Sequence, residues 1–248
     1  MSRPGRQLEI HALSRLDAIF GMDDDYFQLD DAIELASYLE VGSSGAAVTG
    51  GWAAIEGLLI YPGVEQHHLA ADRLARIVAC SLARAEMTSL AYRYRDEGIG
   101  ELAESLQALT EDVPNYQRVA LIEEHLRRGN ELKFLRPRDQ AATDRLLTII
   151  AEPATELGRI SKYIEETFRR LYNQRNLIMH SGSFRSIALA ATLRTAPALV
   201  GAGLDRISHA QLRRSNPLRP LELAARAEME LSMLGRDGAS LVIDLLGD

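Results

Sequence analysis

Apolar residues recur at every third or fourth position along most of this chain, and no segment alternates apolar with polar residues between turn signals at strand spacing. The pattern predicts an all-α fold. Helices are expected at about 7–20, 29–41, 45–60, 65–94, 99–109, 116–128, 139–151, 154–180, 185–213 and 219–234.

Two of these are long. The first carries Leu69, Leu74, Ile77, Val78, Leu82, Met87 and Leu90 in one broad stripe, flanked by Arg73, Arg76, Arg84 and Glu86. The second carries Ile160, Ile164, Phe168, Leu171 and Ile178. A helical bundle built on these two as an antiparallel pair is the expected architecture. The shorter helices of 95–152, with Pro114, Pro137 and more charge, read as a helical segment inserted into that hairpin. The Gly-rich stretch VGSSGAAVTGG, residues 41–51, lacks the lysine and spacing of a phosphate-binding loop and reads as a hinge. The expected organisation is therefore an N-terminal helical segment over 1–44 and a helical domain over 45–248.

Composition narrows the function without naming it. The 248 residues are 46% hydrophobic and 25% charged, the balance of a chain that buries a core. A net charge of -7 argues against coating nucleic acid by bulk electrostatics and leaves room only for a local basic cleft. Lys133 and Lys162 are the only lysines, so an anion site would be built from guanidinium forks. Cys80 is the only cysteine and sits in RIVACSLA, which excludes a disulfide framework and a cysteine zinc site and marks a small buried thiol. Neither a membrane span nor a secretion signal is expected, which points to a cytoplasmic protein with no membrane contact.

The chemistry concentrates in LYNQRNLIMHSG, residues 171–182. On a helix Asn176 and His180 are four apart and share a face, with Arg175 about 100° round from Asn176. Gly182 is expected to end the helix and leave His180 in or beside its last turn. The residue types suit phosphodiester cleavage. A histidine can take the proton of a ribose 2′-OH or give one to the leaving 5′ oxygen, and an arginine can grip the non-bridging oxygens. Asn176 would orient the phosphate or fix the imidazole tautomer. The same three residues would, on their own, serve equally as a polar helix end.

Arg175-Asn176-Leu177-Ile178-Met179-His180, at the end of a long helix in an all-α chain, resembles the HEPN superfamily, whose ribonucleases carry an Arg-(four to six residues)-His signature often beginning Arg-Asn. The upstream stretch GWAAIEGLL, residues 51–59, is similar to the Trp-containing helix of many bacterial members and precedes a long Ala- and Arg-rich helix in the same order. The resemblance covers about 45–95 and 153–215. It implies a helical bundle that forms a homodimer, joins two Arg-His sets in one cleft, and cuts an RNA substrate without metal or cofactor to leave a cyclic phosphate and a 5′-OH. It further implies a role in toxin or antiphage defence, with Arg175 and His180 catalytic, Asn176 supporting, and a regulatory protein partner possible. One branch of the family carries a modified tyrosine two residues after the histidine; Gly182 stands there, which disfavours that branch.

Glu56 borders the apolar face formed by Trp52, Ile55 and Leu59, so its carboxylate needs a partner, for which Arg73 and Arg175 are the candidates. A structural ion pair is the expected role, with support of the site as the alternative. His67 and His68 point about 100° apart and read as isolated, as do His125 and His209. The competing function is a non-catalytic HEPN module for dimerisation or for binding RNA or nucleotide within a larger complex.

Overall fold

The computed structural model describes residues 6–11, 24–181, 187–212, 217–235 and 242–247. The fold is all-α. The described residues form nine helices and no strand: α1 (Asp24–Val41), α2 (Ser44–Leu59), α3 (Leu69–Glu97), α4 (Glu101–Gln107), α5 (Asn115–Arg127), α6 (Pro137–Ala151), α7 (Pro153–Ser181), α8 (Ile187–Gln211) and α9 (Pro220–Met233). The two long helices expected from the apolar stripes are α3 and α7, each of 29 residues. Of the first expected helix, His11 is helical and residues 7–10 are not. Residues 12–20 lie outside the described ones, as does Gly182.

The chain divides into two compact units, residues 1–78 with 160–228 and residues 79–159 with 229–248, and the divisions fall inside α3, α7 and α9. In the first unit α1 buries Leu29, Ala32, Ala36 and Leu39, spaced three or four apart, against α2. Only Gly42 and Ser43 separate the two helices, and the Ser43 hydroxyl caps α2 by accepting from the Ala46 N–H at 3.3 Å. The glycines of 41–51 are therefore not a hinge. A Cβ on Gly50 would stand 2.6 Å from the carbonyl oxygen of Leu35, and one on Gly51 would stand 2.6 Å from Leu39 Cδ2. Gly50 lets the α1 and α2 backbones approach closely, and Gly51 leaves room for the Leu39 side chain. α8 packs on both helices, and the extended N-terminal segment crosses it: a Cβ on Gly201 would lie 2.9 Å from Glu9 O, while Arg6 Nη1 donates to Gly42 O at 3.1 Å.

By length and composition α8 would suffice to cross a bilayer, contrary to the expectation that no segment reaches that threshold. Its apolar residues instead serve the first unit, where Leu193, Ala196, Val200, Leu204 and Ile207 are buried, and half of its most apolar window is buried in the fold.

The second unit takes in the segment 95–152. Met87, Leu90, Leu106, Val119, Ile122, Leu146 and Ile149 form its core. Charged groups are built into it as well. Arg118, 1% exposed, donates to Val113 O and Thr110 O at 2.5 Å each and lies over the Tyr92 ring, so its charge is met by carbonyls and a π face. Asp139 pairs with Arg93 at 3.1 Å. Near the C-terminus Val242, Ile243, Leu245 and Leu246 are buried in a turn, with Leu245 O accepting from Arg84 at 2.6 Å. Cys80 is buried and in no disulfide, as its apolar setting requires.

Candidate active site at the end of helix α7

α7 is amphipathic over its whole length. Leu157, Ile164, Phe168, Leu171 and Ile178 are buried along one stripe, joined by Thr167 and Gln174. Rotation by one helical step per residue then carries the polar residues of the last turns off that stripe. Arg175 and Asn176 are half-buried and His180 is exposed.

The first two are joined directly. Arg175 Nη1 donates to Asn176 Oδ1 at 3.0 Å. The asparagine oxygen thus fixes the guanidinium while leaving most of its five N–H donors for another acceptor. His180 lies one turn beyond Asn176; among the described residues no hydrogen bond ties it to Arg175 or Asn176, and its ring faces solvent. Leu177 and Met179, interleaved with these polar groups, are also exposed, at 50% and 61%.

α7 meets α2 through an aromatic contact. Trp52, fully buried, packs on Tyr172 with ring centroids 4.8 Å apart and planes tilted by 45°. Tyr172 and Asn176 are one turn apart, so the contact that holds the tyrosine also holds the outward direction of the asparagine.

Glu56 is not joined to either arginine proposed for it. Its carboxylate pairs with His67 Nδ1, both groups partly exposed, and Arg73 Nη1 donates instead to Leu59 O at 2.5 Å. The physical reason is the end of α2: the last carbonyls of a helix have no intrahelical donor, and Arg73 supplies one. α3 begins at Leu69, later than the expected 65, and the turn that precedes it brings His67 back to Glu56. His67 is therefore not isolated. Nor is His209, whose Nδ1 lies 3.0 Å from Arg206 Nη1, while the His125 ring stands 6.5 Å from that of Tyr94.

No protein-family model, curated protein or solved structure matches this chain. Among the described residues no three His, Cys, Asp or Glu side chains converge as a metal-binding group.

Electrostatics elsewhere in the first unit are shaped by burial. Desolvation raises the Asp72 carboxyl above its ordinary range against the opposing pull of Arg76, with Glu165 and Glu228 adding to the rise. In the second unit, burial likewise raises Glu123 despite its hydrogen bonds from Arg127 at 2.9 and 3.1 Å.

Proposed function

We propose that this chain is a metal-independent endoribonuclease of the HEPN type, acting as a homodimer in a toxin or antiphage role in the cytoplasm. The observation that carries the proposal is the Arg175–Asn176 hydrogen bond on the open side of α7, with an exposed His180 one turn further on. Arg175 would grip the scissile phosphate and offset the charge that grows on its oxygens. His180 of one copy would take the proton of the 2′-OH as that oxygen attacks phosphorus. The bond from phosphorus to the 5′ oxygen then breaks, and the leaving oxygen takes a proton from the second copy's imidazole, giving a 2′,3′-cyclic phosphate and a 5′-OH. Asn176 holds Arg175 in place. Glu56, engaged with His67, is assigned a structural part at the end of α2.

The test is RNA cleavage in the presence of a chelator. His180→Ala is expected to lower the rate by about 10²–10⁴-fold and Arg175→Ala by about 10²–10³-fold, with helical circular dichroism unchanged. Growth arrest on expression should vanish in both variants. Cleavage that survives both substitutions, or that needs an added divalent ion, overturns the proposal. RNA binding without cleavage in the wild-type chain would favour the non-catalytic module; the net charge of -7 suits a partner-regulated or protein-binding role at least as well as an unrestrained nuclease.

A further inference from the structure

A second site lies in the first unit, and none of Arg175, Asn176 and His180 lines it. A cavity of about 290 Å³ opens where the end of α2, the end of α8 and the start of α9 meet. Leu58, Pro62 and Pro220 give it apolar walls, Tyr61 lines it with 58% of its surface exposed, Gln28, Arg219 and Glu222 add polar groups, and Gln211 stands at one side.

Gln211 is the informative residue. It is only 7% exposed, and among the described residues its Oε1 has no hydrogen-bond partner. Three residues earlier on the same helix Ser208 is fully buried and its Oγ is likewise unpartnered. A buried acceptor left unpaired is costly, so Gln211 Oε1, which lines the cavity, calls for a complementary donor. The cavity is at the small end of the range for ligand sites, which suits one ring system and not an extended molecule. Flat proline walls and a partly open tyrosine ring favour a planar guest, and an amide oxygen selects an edge that donates N–H.

We propose that this cavity binds an amino-substituted nucleobase, with the exocyclic amine donating to Gln211 Oε1 and the ring against Tyr61, Pro62 and Pro220. The site goes beyond the cleavage chemistry and does not depend on it. The base is supplied either by a free nucleoside or by an unstacked residue of an RNA strand.

Calorimetric titration of the full chain with adenosine, and with purine riboside as the same ring lacking the amine, tests this directly. Saturable adenosine binding at one per chain is expected, with purine riboside weaker by roughly tenfold. Gln211→Met should weaken adenosine roughly tenfold and leave purine riboside nearly unchanged. Gly57 lines the cavity and a Cβ there meets nothing within 4 Å, so Gly57→Leu should fill the space, keep the fold and abolish binding of both. His180→Ala should change none of these affinities, which separates this site from the cleavage chemistry. A short oligoadenylate that binds more tightly than adenosine, and loses that binding in the same two variants, assigns the base to RNA; equal affinity assigns it to the free nucleoside. Absence of saturable adenosine binding at millimolar concentration, equal affinity for adenosine and purine riboside, or indifference to both variants overturns the proposal.

Discussion

Glu123 shows how a single side chain can carry a pH signature. It is 2% exposed, and burial raises its carboxyl above the ordinary 4.5 even though Arg127 pulls the other way. The folded state therefore holds the proton to a higher pH than the unfolded chain does. In that window the native state binds more protons, so this group's contribution to stability falls as pH rises from below 4.5 through the folded value. Glu123→Gln cannot ionise. The difference in unfolding free energy between the variant and the wild type should shift toward the variant as pH rises through that window, as read by urea denaturation at several pH values. A constant difference would mean that Glu123 titrates alike in both states. Residue-scale contacts were legible in the sequence where they lie within one helix. Arg175, Asn176 and His180 could be set on their faces by counting 100° per residue, and Leu171 and Ile178 are buried as that count requires. Glu56 and His67 could not be paired in this way, because the turn between α2 and α3 determines where His67 returns and turns carry no period.

At the scale of elements, the glycines of α2 separate two meanings that one residue type can have. Gly50 faces the Leu35 carbonyl, a backbone atom that cannot step aside, whereas Gly57 faces open space. Gly50→Ala should destabilise the chain by about 1–3 kcal/mol through overpacking. Gly57→Ala should stabilise it by about 0.5–1 kcal/mol through helix propensity alone. Thermal or denaturant unfolding of the two variants decides between them, and equal effects would mean that the α1–α2 approach is looser than the geometry described. Glycine in a sequence shows only that a side chain is missing. Whether the space is filled by a neighbouring backbone or left to a cavity depends on which helix packs there, and so the 41–51 stretch read as a joint when it is a tight helical hairpin. The helix ends were far more legible, since nine of the apolar periods ended within a few residues of the ends of α1 to α9 and each period needs only its own segment to be seen.

For the whole molecule, the proposed chemistry needs two copies, because one exposed His180 supplies either the base or the acid in a single turnover. Sedimentation equilibrium is expected to give twice the 27.4 kDa of one chain. A chain that stays monomeric at the concentrations at which it cuts RNA would exclude the shared cleft. The exposed Leu177 and Met179 beside the polar face offer apolar surface for such an association. The sequence by itself determined the all-α class, the span of the two long helices and the face on which Arg175, Asn176 and His180 lie, because each follows from local periodicity. Only the tertiary structure decided that Glu56 belongs to His67, that the glycines of α2 are a packing surface, that α8 buries its apolar face in the first unit, and that Gln211 looks onto a cavity. Those depend on which distant segments meet, and a helical repeat fixes the direction of a side chain without saying what stands opposite it.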